Sequence, residues 1–164
     1  ISIFLAVFAV IAVIVGGFII ANTFSILVAQ RVRELAAHLD VRAEFMQLDP
    51  DALFALPSAL AAHRVRDLPT AVAGDASRQD LDPLNAVHKV VGHMLLDGVP
   101  STDLTLALDT RAGFATVRAA AAAGFGAVAT TAGVTSMAVE LARQTNTVLV
   151  GEVSAERFSV YAGA

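Results

Sequence analysis

The residues best suited to chemistry stand in two short segments, Asp109-Thr110-Arg111 and Thr130-Thr131-Ala132-Gly133. An arginine presents a planar fork of donors to a phosphate, and threonine hydroxyls beside free backbone amides suit an anion. Ordinary capping and turn roles are the competing account of the same residues. What is missing narrows the chemistry further. The chain contains no cysteine, which excludes disulfides, thiolate metal sites and a cysteine nucleophile. His88 and His93 lie five apart on one helical stretch and diverge by more than about 100°, a poor metal pair. His38 and His63 have no carboxylate companion at ligand spacing, so solvated or capping histidine is the reading for all four. Ala112-Gly113-Phe114 and Gly124-Phe125-Gly126 match no phosphate-loop pattern, and no nucleophile-elbow signature supports a serine triad. A formal net charge of −4 with pI near 5.4 leaves no basic footprint for nucleic acid.

The elements that must position these residues follow from periodicity. Asp82-Pro83 is a cap followed by proline at the first helical position. Leu84, Val87, Val91, Met94 and Leu95 then share one helical face, and Asp97-Gly98 closes the helix. Residues 103–109 alternate Leu104, Leu106 and Leu108 with polar or small residues, a strand pattern. Residues 111–123 are alanine-dense and helical, ending at Gly124. Strand 125–131, helix 135–145, strand 147–153 and a short strand 158–161 complete the order. Strand, helix, strand, helix, strand predicts right-handed crossovers. The expected fold is therefore a three-layer α/β domain with a mostly parallel sheet. Ligands of such sheets bind beyond the carboxyl ends of the strands, which is where both chemical segments fall.

Upstream, residues 37–82 read as an irregular connecting region. A short helix starts at Asp49-Pro50 and is expected to end or kink at Pro57. Residues 66–82 read as loop with one short strand at 70–73. Residues 1–30 carry no charge at all. A bilayer core needs roughly 20 apolar helical residues, so this run predicts one transmembrane helix in contact with membrane lipid. It is about twice too long for the apolar region of a signal peptide. Arg31 and Arg33 follow it directly, which predicts a single-pass inner-membrane protein with a cytoplasmic C-terminal domain. The absence of an initiator Met points to a fragment or a trimmed chain. Gly17, Ala21, Ser25 and Ala29 form a ridge of small residues, with Asn22 and Thr23 able to bond across it, so a homodimer or another partner helix is expected. The domain division is thus residues 1–36, 37–82 and 83–164.

Two family resemblances accompany these patterns. Asn22-Thr23-Phe24-Ser25, Val28-Ala29-Gln30-Arg31 and Arg33-Glu34-Leu35 make residues 1–36 similar to a membrane helix of FtsX-like (MacB-type) ABC transporter permeases. The second resemblance rests on Asn85-Ala86-Val87 with Lys89, Val90, Val91 and Gly92, and on Arg111 and Phe114. Thr135 through Ala142, Leu149-Val150-Gly151 and Arg157 through Tyr161 complete it. With residues 48–60 added, residues 48–161 resemble the C-terminal part of the FdhD/NarQ family of formate dehydrogenase accessory sulfurtransferases. That resemblance implies a cytidine-deaminase-like fold and a role in sulfuration of the guanine-dinucleotide form of the molybdenum cofactor. It implies formate dehydrogenase and a cysteine desulfurase as partners. Asn85, Lys89, Thr135 and Ser136 from the matched positions, taken with Thr110, Arg111, Thr130 and Thr131 at the strand ends, make up the expected cofactor-binding set.

The chain departs from the family at polar positions. The family's Gly-Arg-His-Asn before the first helix reads Asp82-Pro83-Leu84-Asn85, its Gly-Arg pair reads Thr110-Arg111, and its Ala-Pro before Thr-Ser reads Gly133-Val134. The family's CxxC loop has no counterpart. The expected function is an FdhD-like accessory protein without its catalytic cysteine. The alternative is a non-enzymatic membrane protein, or a permease fragment fused to an inactive FdhD-like remnant.

Overall fold

The computed structural model describes residues 44–163, together with residues 4, 6, 7, 10–20 and 23. The backbone divides into two compact units, Ile1–Leu35 and Ala36–Ala164.

In the first unit residues 10–20 are helical, as a long apolar run predicts. Among the described residues, however, no helix is long and apolar enough to cross a membrane. The expected single-pass span is therefore not supported: a span needs about 20 continuous apolar residues, and the continuous described helix covers residues 10–20. Ala21, Asn22, Ser25 and Ala29 of the small-residue ridge lie outside the described residues, as do Arg31 and Arg33.

The first element among the described residues of the second unit is α1 (Pro50–His63), which starts where Asp49 accepts from the Asp51 amide and proline occupies the first turn. Leu53, Leu56 and Leu60 recur at helical spacing and are buried. Pro57, expected to end or kink the helix, lies inside it. Proline removes one donor, and the buried leucines on either side hold the helix against the sheet across that gap. Next come β1 (Thr70–Ala73) and β2 (Ala76–Gln79), which pair antiparallel through the two-residue loop Gly74-Asp75. Gly74 has φ +53°, the positive angle that a tight hairpin needs at its first central position.

The remaining elements are α2 (Pro83–Asp97), β3 (Thr105–Leu108), α3 (Phe114–Ala122), β4 (Ala127–Thr130), α4 (Ser136–Gln144), β5 (Val148–Gly151) and β6 (Ser159–Ala162). Their boundaries lie close to those expected, except that α3 starts three residues later than residue 111. Gly98 closes α2 in the left-handed conformation at φ 68°, as glycine after a helix does.

The sheet order is β2-β1-β3-β4-β5-β6. Its three central strands β3, β4 and β5 are parallel, and the other three pairings are antiparallel. The sheet is mixed rather than mostly parallel. Consecutive strands can pair parallel only across a crossover of a dozen or more residues, usually a helix. The β1–β2 loop and the connection from β5 to β6 are too short for that. Segment 37–82, expected to be a connector, contributes α1 and two strands, so its described part belongs to the same unit as the sheet.

Helices cover both faces. Leu53, Leu56 and Leu60 of α1 pack with Val72, Ala127, Ala129, Val148, Val150 and Val153. Alternation turns Leu106, Leu108, Val128 and Leu149 to the opposite face. There they are buried with Val87, Val90, Val117 and Leu141 from α2, α3 and α4, which pack on one another. The result is three layers.

Candidate functional site

The topology collects one end of the sheet. Parallel β3, β4 and β5 deliver their carboxyl ends there, and antiparallel β1 brings its first residue, since Ala71 pairs with Leu108. Gln79, the last residue of β2, pairs with Thr70 and so reaches the same end. The amino termini of α2, α3 and α4 follow those strand ends. All eight expected cofactor residues thus belong to one end of the sheet, but the described contacts divide them by role.

Thr130 is fully buried. Its hydroxyl donates to the Thr110 carbonyl at 2.6 Å and accepts from the Ala132 amide at 3.0 Å. It is a brace between the two loops, with no capacity facing a ligand. The loops are joined further by Thr131 N–H to Leu108 O and by Ala112 N–H to Gly133 O. Thr135 caps α4 by accepting from the Ala138 amide at 3.3 Å. Lys89 is also engaged: its ammonium pairs with the Asp80 carboxylate and donates to the Gln79 carbonyl at 3.2 Å. That bond holds the Asp80 carboxyl below its ordinary pKa, helped by the Asp82 amide and, to a smaller degree, by Asn85. Asn85 therefore sits with Asp80 and Lys89, beside the Asp82 cap of α2.

The other members are open. Arg111 is exposed and has no ion-pair or hydrogen-bond partner among the described residues. The side chains of Thr110, Thr131 and Ser136 likewise make no hydrogen bond among the described residues. Close to Arg111, α3 begins at Gly113 with no side-chain cap, so its first amides keep their donor capacity. A Cβ added at Gly113 or at Gly133 would meet nothing within 4 Å, which leaves room for a ligand to approach the backbone.

Three carboxylates stand at this end, of which Asp80 and Glu152 carry little sequence signal. Asp80 stands in what reads as loop. Asp109 accepts from the Thr70 amide at 2.8 Å through Oδ1, while Oδ2 is buried, unbonded and 3.9 Å from Arg64 Nε. Glu152 follows β5 with φ 56°, bonds Ala132 O through its amide at 2.8 Å, and accepts from Ser159 Oγ at 3.2 Å. A strand-ending Gly151-Glu152 pair is the only hint of it in the sequence.

No group of three or more metal-ligating side chains occurs among the described residues. An apolar cavity of about 340 Å³ lined by Phe45, Met46, Leu53, Val148, Phe158 and Gly163 lies elsewhere. It opens at the amino end of β5, opposite the polar loops.

A three-layer α/β domain with open anion-type donors beyond its parallel strands is the class these features define. The sequence pattern of the FdhD/NarQ family matches residues 46–164, and the chain belongs to that family. It is 41% identical over 87 residues to the sulfur carrier protein FdhD of Corynebacterium efficiens, covering 52% of this chain and 31% of that protein. With the sulfur carrier protein FdhD of Anaeromyxobacter dehalogenans strain 2CP-C it shares 44% identity over 94 residues, 53% of this chain and 33% of that one. With the Streptomyces avermitilis sulfur carrier protein FdhD it shares 33% over 130 residues, 72% of this chain and 46% of that one. The chain therefore spans between about a third and a half of the length of these relatives. A crystal structure described as a formate dehydrogenase accessory protein, from Desulfotalea psychrophila, superposes with a TM-score of 0.69 at 19% identity, covering 79% of this chain and 59% of that one. These matches extend the expected range of 48–161 slightly at both ends. The permease likeness of residues 1–36 is not supported by them.

Proposed function

We propose that this chain is the cofactor-holding part of an FdhD-type accessory protein, with the guanine-dinucleotide molybdenum cofactor as its cargo. The observation that carries the reading is the guanidinium of Arg111, without a partner among the described residues, next to the uncapped start of α3. A cation and unpaired helix amides together suit a phosphate group, and the dinucleotide is joined by phosphates. Thr110, Thr131 and Ser136 add hydroxyls at the same end. Asn85 and Lys89 support the α2 side of the site, Lys89 through Asp80. Thr130 and Thr135 shape the loops rather than touch the cargo. The three layers accord with the cytidine-deaminase-like fold implied by the family, and the family implies formate dehydrogenase and a cysteine desulfurase as partners.

The donor set fits the phosphate portion of the cargo and does not fit sulfur transport. A persulfide needs a thiolate, and this chain contains no cysteine. No sulfur-transfer step is assigned to its residues.

Calorimetric titration of the full chain with guanosine diphosphate tests the reading. Saturable binding is expected, weakened about 10- to 150-fold by Arg111→Ala, since a hydrogen bond to a charged group contributes about 1.5–3 kcal/mol. Absence of binding at millimolar nucleotide, or equal affinity in Arg111→Ala, refutes it.

A further inference from the structure

We propose that residues 64–69, the connection from α1 to β1, form a strap latched by Gln79 and Asp109 and built to open as one unit while the sheet beneath stays paired.

The strap has almost nothing apolar to hold it down. Arg64, Val65, Arg66 and Asp67 are exposed, Val65 to 86%. Leu68 and Pro69 are only partly buried. Its ends are fixed by backbone bonds: the Arg64 amide donates to Ala61 O at 3.2 Å, and the Asp80 amide donates to Pro69 O at 3.2 Å. A segment with few buried apolar contacts and exposed hydrogen bonds opens far more readily than the strands it joins.

Two side chains of the sheet close it. Gln79 is the first latch. Its Oε1 accepts from the Val65 amide at 3.3 Å, and its Nε2 donates to Arg66 O at 3.1 Å, Leu68 O at 3.4 Å and Thr70 Oγ1 at 2.9 Å. A carboxamide has only two N–H donors, so these three acceptors share them. Asp109 is the second latch. Its Oδ1 accepts from the Thr70 amide at 2.8 Å, while Oδ2 is buried without a hydrogen bond, 3.9 Å from Arg64 Nε. The Arg64 guanidinium pairs instead with Asp67, whose side chain is 95% exposed. Such an exposed pair contributes little, and a buried acceptor without a hydrogen bond works against the closed form. The closed strap is thus held by shared and incomplete bonds. Opening withdraws the Arg64 cation from the Asp109 carboxyl and lets water reach the β1 flank of the strand ends. The device depends on these contacts alone, whatever the strand ends bind.

Amide hydrogen exchange of the full chain, resolved by NMR, tests this on the parent, Gln79→Glu and Asp109→Asn. Glutamate keeps the acceptor for Val65 and the shape of the side chain, but its carboxylate donates to none of the three acceptors. Bonds acting singly would leave the Val65 and Leu68 amides untouched, because Leu68 N–H bonds Arg66 O. A strap that opens as a unit exchanges both amides about 10-fold faster in Gln79→Glu, with those of Ala71 to Ala73 and of β3 unchanged. Asp109→Asn retains every bond of Gln79 and should speed the same two amides about two- to fivefold. Unchanged exchange at Val65 and Leu68 in Gln79→Glu overturns the strap. So does acceleration that spreads equally through β1 and β3, which would make Gln79 part of the sheet rather than a latch. Unchanged exchange in Asp109→Asn overturns Asp109 as the second latch.

Discussion

Replacing Thr130 by valine should destabilise the second unit by about 2–3 kcal/mol, almost entirely through hydrogen bonding. Valine has nearly the shape of threonine, so no cavity opens at this fully buried position. What disappears is one hydroxyl with two partners, the Thr110 carbonyl at 2.6 Å and the Ala132 amide at 3.0 Å. Each bond contributes about 0.5–1.5 kcal/mol net, and a buried partner left alone costs about 1–3 kcal/mol. Thr110 and Ala132 are only partly buried, so water recovers much of that penalty and the total stays in the upper half of the roughly 1–3 kcal/mol that the two bonds sum to. Urea denaturation of the full chain followed by circular dichroism reads the change as a lower midpoint at unchanged slope. Thr131→Val is the control: its hydroxyl makes no hydrogen bond among the described residues, so its effect should stay within about 0.5 kcal/mol. Thr130→Ser keeps the hydroxyl and should recover most of the loss. The reasoning fails if Thr130→Val is as mild as Thr131→Val. It also fails if Thr130→Ser is as damaging as Thr130→Val, which would assign the effect to the methyl group.

Two further outcomes follow from the same structure. Gly126→Ala should cost about 1–3 kcal/mol by overpacking, because a Cβ there would lie 2.8 Å from the Thr102 carbonyl and 2.5 Å from Met46 Sδ; a thermal melt unchanged from the parent contradicts this. Lys89→Met should move the titration of Asp80 upward toward the ordinary carboxylate range, read by carbon NMR of the side-chain carboxyl. The sign follows from linkage: a depressed carboxyl stabilises above its unfolded pKa near 3.9 and loses that contribution as pH falls through the lower folded value. The variant should therefore differ least from the parent in the most acid solutions, and an Asp80 titration identical in both proteins would remove Lys89 as the cause.

The parts of the fold legible in the sequence are those written by local chemistry. Asp82-Pro83 and Gly98 bracket α2 because a cap, a fixed φ and a left-handed glycine act within a turn of the chain. Leu106 and Leu108 announce β3 by alternation. The mixed sheet was less legible, since β2 is four polar or small residues whose pairing depends on the tight loop at Gly74-Asp75 rather than on its own composition. Pro57 does not end its helix for a related reason: propensity speaks of an isolated helix, while Leu53, Leu56 and Leu60 bind this one to the sheet. For the expected site residues, the sequence placed all eight at one end of the sheet but could not separate open side chains from braces. Thr130 and Thr131 are adjacent and chemically identical, and only the strand-end geometry makes one a crosslink and leaves the other open.

That separation decides what chemistry this end of the sheet can support. Thr130, Thr135, Lys89 and one oxygen of Asp109 are committed to holding loops, a helix cap and strand ends together. Arg111, Thr110, Thr131, Ser136 and the remaining capacity of Glu152 are what a ligand could meet. This second group contains a cation, hydroxyl donors and a carboxylate, and it contains no thiol and no imidazole. Hydroxyls without an adjacent base are weak nucleophiles, whereas fixed hydrogen-bonding groups orient a polar molecule well. Among the described residues, this set is suited to holding and orienting a polar ligand. Titration with inorganic pyrophosphate at rising salt tests this: a charge-based holding site should weaken steadily as ionic strength screens Arg111. Salt-independent binding would place the ligand somewhere other than beyond the carboxyl ends of β3, β4 and β5.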